Sequence, residues 1–213
     1  MRIRSYEPRD REVLRHLCCE TADQGEPVER FFHDRELFAD LVTRYYTDCE
    51  PRSTWVAEHQ DQLVGYLTGC LDTRRYWRIM AQRVVPPMVS HAMLRGTFWS
   101  REIWRLAHAG LQSWQRGGWR REVPLDRHPA HLHVNVQRGF RGQQVGRQLV
   151  ERFLVHVRAA GLPGVHAAVV EDNRAACHFF ERLGFLALSR HPIVRPGGAS
   201  GQPTATVIYG KTV

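Results

Sequence analysis

Arg141-Gly142-Gln143-Gln144-Val145-Gly146-Arg147 follows the alternating run His131–Val136 and opens an apolar series, Val145, Leu149, Phe153 and Val157, that steps by four. Alternation reads as a strand, and a step of four as one face of a helix. The stretch therefore predicts strand, glycine-bearing loop and helix, with Gly161 stopping the helix. A helix start leaves about four backbone N–H groups unpaired and pointing one way, and the helix dipole behind them makes an anion site. Gly142 and Gly146 let the backbone come close to a phosphate, and Arg141 and Arg147 can add charge-assisted contacts. A Walker loop would need Lys-Ser or Lys-Thr after its second glycine, where Arg147-Gln148 stands here. A Rossmann fingerprint would need G-x-G-x-x-G after the first strand of its unit.

A second strand–helix pair follows. Val165–Val170 is a short apolar run suited to a sheet interior, then Glu171-Asp172-Asn173, then a helix over Arg174–Leu183 ending at Gly184-Phe185. Written as motifs, the two halves are Arg141-x-x-Gln144-x-Gly146 and Asn173-x-x-Ala176-x-x-Phe179-Phe180-x-x-x-Gly184-Phe185. Together they resemble the Gcn5-related N-acetyltransferase (GNAT) superfamily. A narrower likeness joins Ile3–Asp10, Gly65–Asp72, Pro129–His133 and Gly164–His166. It is to bacterial acetyltransferases similar to the C-terminal acetyltransferase-like domain of O-GlcNAcase.

Working outward, Arg2–Tyr6 reads as a first strand, and Asp10 as the N-cap of a helix burying Val13, Leu14, Leu17 and Cys18. A second helix is predicted over Arg35–Tyr46, burying Leu37, Phe38, Leu41, Val42 and Tyr45. Thr54–Glu58 and Leu63–Leu71 form a hairpin across His59–Gln62. Residues 73–128 read as helical pieces broken at Pro86-Pro87 and Gly117-Gly118, and hold five of the six tryptophans (Trp77, Trp99, Trp104, Trp114, Trp119). Phe185–His191 and Thr204–Thr212 close the chain around a Gly/Pro loop. The expected fold is α/β (α+β) in one domain, 1–213. Its mixed sheet has splayed strands at 131–136 and 165–170, helices on both faces and a helical insert at 73–128.

The resemblance implies an acetyl-CoA site in the wedge between the two splayed strands. The pyrophosphate would rest on the amides of Gly142, Gln143, Gln144, Val145, Gly146 and Arg147. The pantetheine would pair with the backbone at Val134 and Val136, adding itself to the sheet. Asn173 would hydrogen-bond its arm, with Ala176, Phe179 and Phe180 beside it. The reaction implied is direct attack of an amine on the thioester. Such a reaction needs a base for the ammonium proton and, for the thiolate, often an acid. The family's acid is usually a tyrosine, and Phe180 stands at that position. The O-GlcNAcase-like group commonly has an acidic residue where Asn135 stands. That leaves His133 as the candidate base, on one strand face with His131 and Asn135. An imidazole's ordinary pKa of about 6.5 suits the task. The other reading of His133 is a side chain filling a polar pocket, and the alternative to an enzyme is a non-catalytic acyl-CoA-binding module. His131, His133 and His166 are too weak a pattern to predict a metal.

Charge is unevenly spread. Residues 1–72 hold 9 basic and 15 acidic groups, 73–128 hold 11 and 3, and 129–213 hold 10 and 4, giving −6, +8 and +6 of the net +8. A phosphate-bearing cosubstrate accounts for the last figure. The +8 of the insert fits an acceptor-side or homodimer-forming helical cap that buries its tryptophans and shows arginines to an acidic substrate. It also fits a basic, aromatic surface binding RNA or lipid headgroups, although no RNA-binding motif of the recognisable modules is present. Five cysteines without a C-x-x-C pair read as reduced and buried. The absence of an apolar h-region or of a spanning run leads to the expectation of a cytoplasmic chain acting on a small-molecule or peptide amine, without membrane.

Overall fold

The computed structural model describes residues 1–115, 123–194 and 203–213. Gly117-Gly118, Trp119 and most of the Gly/Pro loop lie outside the described residues. Seven strands form one sheet: β1 (Arg2–Ser5), β2 (Thr54–His59), β3 (Gln62–Cys70), β4 (Ala130–Val136), β5 (Gly164–Val170), β6 (Leu186–Val194) and β7 (Pro203–Thr212). Their order is β1-β2-β3-β4-β5-β7-β6. Every pairing is antiparallel except β4 with β5. That parallel pair is joined only at Ala130↔Val165 and His131↔His166, after which the strands part. The mixed sheet is as the sequence predicts, and its splay is as the resemblance implies.

Alternation assigns the faces. Val56, Leu63 and Tyr66 pack on Leu14 and Leu17 of α1 (Arg11–Glu20), with Phe38 and Val42 of α2 (Arg35–Arg44) against them. Leu67, Ala57 and Leu132 point the other way, onto Leu149 and Phe153 of a long helix (Val145–Ala159) and Phe180 of a shorter one (Arg174–Arg182). Gly69 is a necessity there. A Cβ on it would lie inside the Phe153 ring, which rests on that strand.

The insert is α3 (Thr73–Ile79), a π turn, α4 (Val85–Leu94) and α5 (Arg101–Gln115), and the two later helices are then α6 and α7. Pro86-Pro87 begins α4 instead of breaking a helix, because proline fits the first turn, where its missing N–H is not needed. The described tryptophans of the insert are not buried: Trp77, Trp99, Trp104 and Trp114 are all more than half exposed. The buried face of α5 is made of small residues, Ala109 and Ser113, so the helix lies close and turns its large side chains outward.

Four smaller expectations are corrected. Asp10 does not cap α1, because its carboxylate accepts from the Glu7 N–H at 2.8 Å and pairs with Arg4. Val13 and Leu41 are exposed on the outer edges of their helices. The helix from Arg35 ends at Arg44, where a π turn over Tyr45–Cys49 takes both tyrosines inward. The hairpin turns on two residues alone, Gln60 and Asp61, both with positive φ (49° and 60°), the twist that matches a two-residue hairpin.

Candidate active site

Beyond His131 the gap between β4 and β5 opens into a cleft of about 380 Å³. Leu132, His133, Val134 and Asn135 line it from one side and Ala167–Val170 from the other, with Asn173, Ala176 and Phe180 behind. Thus five residues predicted to touch the cosubstrate or the reaction on β4 and α7 face one cavity with His133. Val136, Phe179 and the loop 141–147 are not part of its lining.

The loop sits where the cleft leads to α6. Gln144 occupies the N-cap in left-handed conformation (φ 62°) and makes no side-chain cap, so the first N–H groups of α6 have no internal acceptor. Gly142 also has positive φ, 79°, which glycine adopts without strain. A Cβ on Gly146 would lie 3.2 Å from Cε2 and Cζ of Phe179 and 3.7 Å from Val136. Phe179, Gly146 and Val136 are therefore one packed unit that ties α7 to the loop.

The arginines behave differently from one another. Arg141 is committed to protein carbonyls, Nε to Val136 at 3.1 Å and Nη1 to Gln24 at 3.2 Å. It clamps the loop after α1 onto the loop before α6. Arg147 pairs with Glu151 at 2.7 Å on its own helix, and Arg138 with Glu26 at 3.2 Å. Asn173 caps α7, its side-chain oxygen accepting from Ala176 N–H at 3.1 Å. That cap leaves its amide NH₂ to donate elsewhere. Glu171 meanwhile pairs with Arg190 and does not cap.

On the strand face shared by His131, His133 and Asn135 the three side chains have three different fates. His131 is buried between Thr73, whose Oγ1 lies 2.7 Å from Nδ1, and Tyr46, whose hydroxyl lies 2.9 Å from Nε2. Thr73 spends its one hydroxyl proton on the Pro129 carbonyl, 2.7 Å away. Nδ1 of His131 must then donate to Thr73, and Nε2 accepts from Tyr46. Burial, with His133 and His166 nearby, holds this imidazole well below its ordinary pKa, so it is neutral. His133 is exposed to the cleft, its ring 5.9 Å from those of Tyr46 and His131. Asn135 donates to the buried Tyr66 hydroxyl at 2.8 Å. Phe180 has no hydroxyl and lies among Phe179, Phe185 and Tyr209, at ring distances of 5.2, 5.1 and 6.2 Å. The His166 ring lies 5.7 Å from that of His131, with its Nδ1 2.8 Å from the His128 carbonyl. Among the described residues no three His, Cys, Asp or Glu side chains gather as metal ligands.

The sequence reading missed Asp23, Phe31, Ile193 and Val194, all of which line the cleft. Only a turn signal, Asp23-Gln24-Gly25, marks the first of these, and nothing local marks the others. Among the described residues no helix is long and apolar enough to cross a membrane.

Over residues 18–185 the sequence matches the acetyltransferase (GNAT) family. Mycothiol acetyltransferase of Nocardiopsis dassonvillei is 46% identical over 52 residues, a stretch that is 24% of this chain and only 16% of that protein. The crystal structure of SsHAT superposes with a TM-score of 0.71 at 27% identity, covering 99% of this chain and 97% of that one. Ribosomal-protein-alanine N-acetyltransferase from Brucella melitensis, at 0.58 and 16% over the full length of both chains, is alike in fold. So is the acetyltransferase YncA from Salmonella typhimurium, solved with acetyl-CoA, at 0.57 and 13% over 100% and 93%. The narrower likeness to the O-GlcNAcase domain draws no support from these matches.

Proposed function

The chain belongs to the GNAT acetyltransferase family, whose members use acetyl-CoA, and on that premise we propose that it moves an acetyl group from acetyl-CoA to an amine nitrogen by direct attack. The observation that carries this reading is the cleft that opens where β4 and β5 part, with His133 exposed in it. The residues fit the cosubstrate. Among the described residues no ladder pairing joins β4 to β5 beyond His131, so the backbone at Val134 and the N–H of Val136 suit amides of the pantetheine arm, while the Val136 carbonyl already accepts from Arg141. The uncapped start of α6 and its two glycines suit a pyrophosphate over 142–147. The Asn173 NH₂, Ala176, Phe179 and Phe180 would flank the arm. Bound there, acetyl-CoA supplies an activated acetyl group.

The chain's own part is to prepare the amine. His133 takes the ammonium proton, directly or through a water, so that the nitrogen lone pair is free. Asn135, its NH₂ held by Tyr66, turns its side-chain oxygen as an acceptor toward the amine. Phe180 cannot protonate a thiolate, so that proton comes from solvent and turnover is slow. Calorimetric titration with acetyl-CoA tests the site, and amine-dependent release of CoA tests the reaction. Binding in the micromolar range and slow release that falls at least about ten-fold in His133→Ala are expected. No binding at high micromolar acetyl-CoA would overturn the reading.

A second reading, a non-catalytic acyl-CoA-binding module, is favoured by Phe180, which lines the cleft without a hydroxyl to give a proton. Tight binding with no transfer to any amine would decide for it.

A further inference from the structure

The helical insert presents apolar rows to solvent beside unpaired arginines, and from this we infer that it docks the protein on an anionic lipid surface. Residues 73–94 form one continuous helix through the π turn at Met80–Val84. Met80, Val84, Met88 and Ala92 step by four and are buried. The adjoining row, Trp77, Ala81, Val85, Val89 and Met93, also steps by four and is apolar throughout, yet it is exposed. The α5 helix repeats the arrangement. Its inner side, with Ile103, Leu106, Ala109 and Ser113, packs on the protein. Beside that, Trp104, Ala107, Leu111 and Trp114, spaced by three and four, form a second exposed apolar row. A helix that is apolar well beyond its buried stripe is ordinarily covered there too.

One row ends and the other begins at the turn between α4 and α5, where Leu94 is 85% and Trp99 68% exposed. This tip is held in place. The Thr97 hydroxyl donates to Asp34 at 2.7 Å, and the same carboxylate caps α2 by accepting the Leu37 N–H at 3.0 Å. Arg95 pairs with Glu36 in the first turn of that helix. Leu94 and Trp99 are therefore carried outward on an anchored turn, and their exposure is not the fraying of a loose end.

Charge identifies the occupant. Residues 73–128 carry 11 basic and 3 acidic groups. Among the described residues the arginines of the insert form ion pairs only at Arg74 and Arg95, which leaves Arg78 beside Trp77, and Arg101 and Arg105 beside Trp104, without one. Tryptophan settles at the depth of lipid headgroups, leucine and methionine reach the acyl chains, and arginine extends back to the phosphates. The contact is peripheral, because the other side of each helix is buried in the protein. Two other occupants fit less well. Stacked bases need aromatic planes, which Val89, Met93, Leu94 and Leu111 do not offer. A second copy related by a two-fold axis would press this basic face against itself.

The test is co-sedimentation of the full chain with vesicles of phosphatidylcholine alone and with about one third phosphatidylglycerol. Binding to the anionic vesicles is expected to be at least about ten-fold stronger and to weaken as salt is raised. Tryptophan fluorescence should shift to the blue on binding. Leu94→Ser combined with Trp99→Ser should lower vesicle binding at least about ten-fold, with thermal melting and acetyl-CoA affinity unchanged, since both side chains face solvent. Arg101→Glu combined with Arg105→Glu should remove the preference for anionic vesicles. Equal binding to the two vesicle types, no binding to either, or full binding by the Leu94 and Trp99 variant would overturn the inference. So would self-association in sedimentation velocity that Leu94→Ser abolishes while vesicles are ignored, which assigns the face to a second copy. Binding of single-stranded RNA in place of vesicles would overturn it likewise.

Discussion

Asn135 donates its side-chain amide to the Tyr66 hydroxyl across the β3–β4 register, 2.8 Å away. Tyr66 is wholly buried and also hydrogen-bonds Cys18, whose thiol burial pushes up to about 12. A residue at the edge of the cleft is therefore oriented from inside the core.

Tyr66→Phe keeps the ring and deletes the hydroxyl, and with it the bonds to Asn135 and Cys18. The loss should be about 1 kcal/mol of unfolding free energy by urea titration. CoA release should slow because the Asn135 amide is free to turn, while acetyl-CoA affinity stays. A variant with unchanged turnover would show that the orientation of Asn135 is irrelevant.

Gly146→Val should weaken acetyl-CoA binding. Even an alanine Cβ stands 3.2 Å from the Phe179 ring, and the larger side chain must displace it at about 1–3 kcal/mol. Adding Phe179→Leu should recover part of the loss, since it opens the space. Calorimetry on the single and double variants measures the coupling, and strictly additive losses would mean that the two residues do not share the site.

Low pH should destabilise the protein. His131, His166, His128 and His156 all have pKa values lowered by burial, so the unfolded chain takes up protons near pH 6.5 while the native protein does not. Their share of stability is complete above that pH and is lost progressively as pH falls below it toward the folded values. The slope is at most about 1.4 kcal/mol per pH unit per histidine. Urea melts at pH 7.5 and 5.0 check this, and His131→Gln should flatten the slope. A stability independent of pH over that interval would contradict the buried neutral histidines.

Arg141→Ala should injure both ends of the cleft. It frees the Val136 and Gln24 carbonyls together, so acetyl-CoA affinity and the amine KM should worsen in one variant. A change confined to acetyl-CoA would mean that Arg141 acts only as a phosphate ligand.

What was legible in the sequence was local. Gly142, Gly146 and the step of four through Val157 announce a loop and helix because their signals lie within one turn of each other. The splay after His131 was an expectation of the resemblance, and the pairing of β4 with β5 bears it out. Asp23 and Val194 could not be found in this way. They reach the cleft by distant pairings: Arg141 with the Gln24 carbonyl, and Ser113 with Val194. The fate of the three strand-face side chains was equally hidden, because Thr73, Tyr46 and Tyr66 decide it from other elements. The tryptophans misled because an aromatic helix face reads as buried until the small residues opposite are seen to make the closer contact.

The open wedge after His131 is also an unfinished hydrogen-bond ladder in the middle of a sheet. A ligand that completes it becomes part of the frame, and one at a hundred times its dissociation constant adds about 2.7 kcal/mol to the folded state. The lifetime of this protein in a cell would then follow the supply of its own acetyl donor. Starvation for acetyl-CoA would thin out the protein as well as idle it.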